Sequence, residues 1–138
     1  MFKRIAHIGV AVKDIAASSA LFEKLFGKKA DHVELVSDQK VATAMFQIGE
    51  TAIELVAASG RDSTIARFIE KRGEGIHHIS FVVDDIEAEL KRLKSQGFQL
   101  IDETPRLGAD GYYVAFLHPK STNGVLIEIS QKRDDGRE

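Results

Sequence analysis

Two histidines and two glutamates recur as matched pairs in the two halves of the chain. His7 begins the segment HIGVAVKDI, and His78 begins the similar segment HISFVVDDI. Glu54, in AIELV, and Glu128, in VLIEI, follow those histidines at nearly the same distance along the chain. Two neutral imidazoles and two carboxylates suit a divalent cation of borderline hardness. The repeat therefore predicts a metal site of His7, Glu54, His78 and Glu128, in which the dication balances two carboxylate charges.

The alternation of strand side chains gives all four residues the same orientation within their strands. Successive side chains point to opposite faces of a strand. His7 and Glu54 each face away from the large apolar residues on either side of them, as do His78 and Glu128. We expect the apolar faces to pack against helices and the polar faces to line a cavity. His77 has the opposite orientation to its neighbour and no counterpart in the first copy, so we interpret it as a structural residue or as one that supports a metal ligand without binding the ion.

Each copy of the repeat predicts one strand, one helix and three further strands, which makes two tandem βαβββ modules and an α+β fold. Asp14 and Asp85 are suitable N-caps for the two helices, and a glycine ends each helix. In the second copy we expect the last three strands near residues 98–102, 112–118 and 125–131. We interpret residues 1–138 as a single domain. Its predicted parts are module 1 at 5–58, a linking helix at 63–72, module 2 at 76–131 and a charged tail at 132–138.

Composition excludes several classes of protein. The chain has 138 residues, 43% hydrophobic and 29% charged, which is typical of one globular domain. A net charge of −2 argues against a nucleic-acid partner held by bulk charge. Cysteine is absent, so disulfides, thiolate metal sites and cysteine nucleophiles are excluded. No apolar run is long enough for a membrane helix and no signal peptide is evident, so we expect a cytoplasmic protein without a membrane partner.

The repeat resembles the glyoxalase, or vicinal oxygen chelate, superfamily, and within it the methylmalonyl-CoA epimerases. The resemblance runs from Ile5 to about Gln131. Three stretches carry it: AHIGVAVKDI, GRDSTIARFIEKRGEGIHHISFVVDDI and RLGADGYYVAFLHPKSTNGVLIEISQ. It implies the glyoxalase fold, in which the two modules form a cupped mixed sheet around a metal site. It also implies a homodimer.

The resemblance assigns metal ligands to the same four residues. The family's ligands are His, Gln or Glu, His and Glu in chain order. They fall on His7, Glu54, His78 and Glu128, and some members carry glutamine in the place of Glu54. The family suggests Co²⁺, while nitrogen and oxygen ligation also permits Zn²⁺, Ni²⁺ or Mn²⁺.

The reaction that the resemblance implies is interconversion of (2R)- and (2S)-methylmalonyl-CoA, a CoA thioester. A proton leaves C2 and the metal stabilises the resulting enolate. By the resemblance Glu128 is the better candidate for the base, with Glu54 as the alternate. In some members a glutamate on the third strand of the first module is proposed as a base. Here Thr43 stands near that place and no carboxylate occurs between Gln39 and Gly49, so the second base stays open.

Three other functions are alternatives within the same superfamily. A glyoxalase-type isomerase, acting on a glutathione hemithioacetal, would use the same ligands, but the GRDS and HPKS segments are typical of epimerases. A non-catalytic module that binds a small molecule usually lacks the four ligands. A dioxygenase would be expected to use an iron site of two histidines and one glutamate, and the second carboxylate argues against it.

Overall fold

The computed structural model describes residues 1–36, 40–108 and 111–133, and its elements follow the predicted order closely. The elements are β1 (Phe2–Ala11), α1 (Ile15–Phe26), β2 (His32–Val36), β3 (Val41–Ile48), β4 (Thr51–Ala58), α2 (Thr64–Arg72), β5 (Gly75–Val83), α3 (Ile86–Ser95), β6 (Arg106–Leu107), β7 (Tyr112–Leu117) and β8 (Leu126–Lys132). The predicted charged tail, from residue 134 onward, lies outside the described residues. No helix in the described ranges has the length and apolarity needed to span a membrane.

The chain divides into two compact units, His7–His77 and Met1–Ala6 with His78–Glu138. The first six residues thus belong to the unit that holds the second copy of the repeat. Strand β1 crosses the division between Ala6 and His7.

In the unit His7–His77 the strands lie in the order β2-β3-β4-β1. β1 runs parallel to β4, and β3 is antiparallel to both of its neighbours. Helix α1 packs on one face of these strands, where the fully buried Phe46 and Leu55 meet Phe22 and Phe26. This is the face predicted from the apolar alternation, so that prediction is confirmed.

The caps of α1 are also the predicted ones. The Asp14 carboxylate accepts a hydrogen bond of 3.0 Å from the Ala17 N–H at the N-terminus of the helix. Gly27 ends the helix with a φ of 71°, a left-handed conformation that glycine adopts without steric cost.

Helix α2 packs on the opposite face of the same strands, which the sequence did not predict. Ile65 and Phe68 of α2 contact Ala11 and Val56, and these two strand residues share the orientation of His7 and Glu54. The polar face of this unit is therefore covered by an apolar helix at one end and is not polar over its whole length.

In the other unit the strands lie in the order β5-β8-β7-β6. β5 runs parallel to β8, and β7 is antiparallel to both of its neighbours. Helix α3 starts after Asp85, whose carboxylate accepts from the Ala88 N–H at 3.1 Å. It packs Leu90 and Leu93 against Leu117 and Ile129. Each unit thus repeats the βαβββ plan, with α1 or α3 packed on the apolar face of its strands.

The predicted strand at 98–102 is wrong. Only an isolated bridge between Leu100 and Leu117 forms there, and the edge strand is instead β6 at Arg106–Leu107. The reason is a side chain that replaces a backbone partner: the Asp102 carboxylate accepts the Phe116 N–H at 2.8 Å. The Phe116 N–H therefore does not donate to a backbone carbonyl of segment 98–102, and the regular ladder between the two segments ends there.

Candidate metal centre

His7 and Glu54 form a direct pair within the first unit. His7 Nε2 lies 3.3 Å from Glu54 Oε1, and both side chains are largely buried, at 19% and 17% exposure. The register of the parallel strands explains the contact, because Gly9 of β1 pairs with Glu54 of β4. His7 is two residues before Gly9 and so shares its face. Ligand atoms about 3 Å apart are expected when two side chains bind one ion at about 2.1 Å.

His78 and Glu128 have the same register in the other unit. Ser80 of β5 pairs with Glu128 of β8, and His78 is two residues before Ser80 on the same face. Both side chains are buried, His78 with 7% of the residue exposed and Glu128 with 9%. Each copy of the repeat therefore places its histidine two residues before the strand partner of its glutamate.

Among the described residues, His7, Glu54 and His78 form a group that could hold a metal ion. Glu128 is not a member of this group. The full set of four ligands therefore stays a prediction.

On the side of β7 the neighbour of Glu128 is an aromatic residue. Phe116 of β7 is its strand partner on the side away from β5. The Phe116 ring also meets the His78 ring nearly edge-on, with 6.4 Å between the ring centroids and an interplanar angle of 79°. The guanidinium of Arg106 lies over the same phenyl ring at 5.6 Å. Glu128 and His78 therefore both have Phe116 as a neighbour.

Ser80, the other strand partner of Glu128, was missed by sequence reasoning. Its side chain is fully buried, and its hydroxyl has no hydrogen-bond partner in the part of the chain that the structure describes. The signal in the sequence was the serine itself, which stands where the first copy of the repeat has Gly9.

Thr43 of β3 stands near the place where the resemblance implies a glutamate in some family members. It is nearly buried, and its strand partners are Val56 on β4 and Glu34 on β2. Its hydroxyl does not ionise at physiological pH, so Thr43 cannot act as the general base.

The other histidines have contacts that agree with structural or surface positions. The His77 ring meets the Phe68 ring edge-on at 4.8 Å, which supports its interpretation as a packing residue. His32 is exposed and lies 3.1 Å from Glu34. His118 caps a short 3-10 helix, since its Nδ1 accepts the Lys120 N–H at 3.1 Å.

Comparison with known proteins assigns the chain to one superfamily. Residues 6–116 match the Glyoxalase/Bleomycin resistance protein/Dioxygenase superfamily. The chain belongs to this superfamily and, on the relatives described next, to its methylmalonyl-CoA epimerase family.

The relatives resemble the chain over nearly its whole length. The ethylmalonyl-CoA/methylmalonyl-CoA epimerase of Cereibacter sphaeroides is 38% identical over 95% of this chain and 99% of the relative. The mitochondrial methylmalonyl-CoA epimerase of Dictyostelium discoideum is 37% identical over 94% of this chain and 78% of the relative. A solved structure of a methylmalonyl-CoA epimerase in complex with methylmalonyl-CoA and ammonium superposes with a TM-score of 0.89, at 32% identity, over 96% of each chain.

Proposed function

We propose that this protein is a metal-dependent epimerase that interconverts (2R)- and (2S)-methylmalonyl-CoA. The observation that carries the proposal is the His7–Glu54 pair and its repetition, in register, by His78 and Glu128. The similarity to methylmalonyl-CoA epimerases along the whole chain supports the same substrate class, a CoA thioester.

We infer that His7, Glu54, His78 and Glu128 hold one divalent ion. The donor set fits such an ion, because two neutral imidazoles and two carboxylates carry a charge of about −2. Both carboxylates are also largely removed from water, and a buried negative charge needs a compensating positive one. When bound, a divalent cation supplies charge that stabilises the enolate of the substrate. We propose Co²⁺ as the ion, with Zn²⁺, Ni²⁺ and Mn²⁺ as alternatives.

The two carboxylates are the groups proposed to move the proton at C2. Epimerisation needs one proton removed from C2 and another delivered to its opposite face. We assign removal of the proton to Glu128, which is the better candidate by the family resemblance and is paired with Phe116. Glu54 is the second group, because β3 offers Thr43 in place of a carboxylate. His7 holds Glu54 in place through their 3.3 Å contact.

The experiment that tests the proposal is an assay of the purified chain on methylmalonyl-CoA. The protein is stripped with EDTA, loaded separately with Co²⁺, Zn²⁺, Ni²⁺ or Mn²⁺, and given the pure (2R) epimer. We expect the (2S) epimer to form with at least one metal and none to form after stripping. Failure to convert with all four metals would overturn the proposal. Conversion of methylglyoxal plus glutathione in its place would indicate the glyoxalase alternative.

The chain also contains a matched control for the histidine ligands. His32 and Glu34 form a second His–Glu pair at 3.1 Å, but both side chains are well exposed to solvent. We expect His32→Ala to retain full epimerase activity, while His7→Ala loses it.

We further propose that the protein is a homodimer, on the basis of the resemblance to the family, and that it is cytoplasmic. Light scattering coupled to size-exclusion chromatography measures the mass in solution. A mass of twice 15.2 kDa is expected, and a mass of 15.2 kDa would overturn the dimer.

A further inference from the structure

The Ser80 hydroxyl is buried and has no hydrogen-bond partner among the described residues. Only 1% of the residue is exposed. Buried polar groups without partners are rare in folded proteins, because burying a hydroxyl removes its hydrogen bonds to water. Ser130, the buried serine on β8 of the same unit, does have a partner, since its hydroxyl donates to the Phe81 carbonyl at 3.4 Å. Ser80 and Ser130 are thus both buried serines of one unit, and only the first has an unsatisfied hydroxyl.

Ser80 lies directly beside Glu128. The two are register partners on the parallel strands β5 and β8, and partners in register share a face of the sheet. His78, two residues before Ser80, shares that face as well. On its other side Glu128 is paired with Phe116, whose side chain has no hydrogen-bond donor. Of the two strand partners of Glu128, only Ser80 can donate to its carboxylate.

The first copy of the repeat lacks this hydroxyl. The position equivalent to Ser80 is Gly9, which is the register partner of Glu54 and has no side chain. Two carboxylates that are otherwise in equivalent places thus have different neighbours. A hydroxyl is available to Glu128 and none is available at the corresponding place beside Glu54.

We propose that Ser80 is a positioning residue for Glu128. In the metal-loaded protein its hydroxyl donates a hydrogen bond to the Glu128 carboxylate and fixes the orientation in which that carboxylate binds the ion. Ligating carboxylates are themselves hydrogen-bonded in metal sites, and their supporting groups affect metal affinity. This inference rests on the proposed metal site and adds to it a residue that is neither a ligand nor a base.

The test compares Ser80→Ala with Ser130→Ala in the full chain, using two measurements that do not depend on catalysis. Calorimetric titration with Co²⁺ gives the metal affinity, and thermal unfolding in EDTA gives the stability without metal. Ser80→Ala is expected to weaken Co²⁺ binding about tenfold or more. It should leave the Tm in EDTA unchanged or raised, because it removes an unsatisfied hydroxyl. Ser130→Ala should do the reverse, lowering the Tm in EDTA and leaving the Co²⁺ affinity unchanged.

The outcomes separate this inference from the proposed function. Wild-type protein that binds no divalent ion overturns the metal site, and the role of Ser80 with it. Wild-type protein that binds Co²⁺, together with a Ser80→Ala variant that binds it equally tightly, overturns the role of Ser80 alone. A Ser80→Ala variant that loses as much Tm in EDTA as Ser130→Ala would make Ser80 an ordinary structural residue, and would overturn the inference too.

Discussion

The imidazole of His7 and the carboxylate of Glu54 lie 3.3 Å apart. The two residues come from β1 and β4, which are separated in the sequence but run parallel with Gly9 opposite Glu54. A shift of that register by one residue would turn one of the two side chains to the opposite face. The contact therefore depends on the pairing of Gly9 with Glu54, which α1 stabilises by packing on the other face of β1 and β4.

Replacing either histidine of the repeat should remove the metal. His7→Ala and His78→Ala each delete an imidazole nitrogen that no neighbouring side chain replaces in kind. We expect both variants to purify without stoichiometric metal and to lose at least ~100-fold in kcat/KM. Metal content is measured by atomic emission on protein reconstituted with Co²⁺. Full metal content in the His78→Ala variant would contradict its assignment as a ligand.

Replacing Glu128 by glutamine should separate metal binding from proton transfer. Glutamine keeps an oxygen that can bind the ion but lacks a basic carboxylate. We expect Glu128→Gln to lose about 100-fold or more in kcat, with a much smaller loss of Co²⁺ affinity. Glu54→Gln should likewise lower kcat while keeping an oxygen ligand, because Glu54 is the second group proposed to move the proton. Loss of metal and of activity in strict proportion would leave Glu128 as a ligand only.

Proton exchange with solvent should occur at C2 of the substrate. Each pure epimer of methylmalonyl-CoA is incubated with enzyme in D₂O, and the C2 proton signal is followed by NMR. We expect deuterium to enter both epimers. The two initial rates should differ, because Thr43 cannot act as a base and the two carboxylates have unlike neighbours. If the loaded enzyme exchanged neither epimer, the epimerase proposal would fail.

Metal binding should stabilise the folded chain. An ion that binds only the folded state adds about 2.7 kcal/mol to the free energy of unfolding when it is present at 100 times its Kd. We expect Co²⁺ to raise the Tm of the wild-type chain and EDTA to reverse the increase. The His7→Ala variant should show no increase, while His32→Ala should behave as the wild type does. An equal increase in His7→Ala would mean that the ion binds elsewhere.

Stability should also depend on Glu89, which lies away from the metal ligands. The ammonium group of Met1 donates to its carboxylate and, with Arg92, holds the pKa of Glu89 below its ordinary value despite the burial that raises it. A lowered pKa in the folded state gives stability that is present above the unfolded-state pKa, about 4.3, and is lost as the pH falls.

We therefore expect Glu89→Gln to lower the free energy of unfolding by about 1 to 2 kcal/mol at pH 7. The difference from wild type should shrink below about pH 4. Urea denaturation at several pH values measures both quantities. A difference that stayed constant down to pH 3 would show that the charge of Glu89 contributes nothing.

The sequence predicted the faces of the site because a strand alternates side chains with a period of two residues, which is a local property. The orientation of Glu54 and Glu128 follows from their neighbours alone. Register is not local, so the pairing of Ser80 with Glu128 and the unsatisfied Ser80 hydroxyl could be found only in the folded chain.

The error at residues 98–102 has a similar origin. The apolar residues there predict a strand, but the Asp102 carboxylate accepts a hydrogen bond from the Phe116 N–H of β7, which comes later in the chain. The covering of one end of the polar face by α2 depends on the same kind of tertiary contact, between Ile65 and the strand residues Ala11 and Val56. Neither contact leaves a periodic signal in the sequence.

Because β1 is divided between the two units, separating the two copies of the repeat into different fragments would remove contacts from the second copy. The ring of Phe2 packs against Phe81 at 5.3 Å, and the Met1 ammonium binds Glu89, so the first residues complete the half that is synthesised last. A fragment starting at Gly75 would carry the whole second repeat and still lack these contacts. A gene split between the repeats would therefore yield a second fragment that needs the first strand supplied by the other piece.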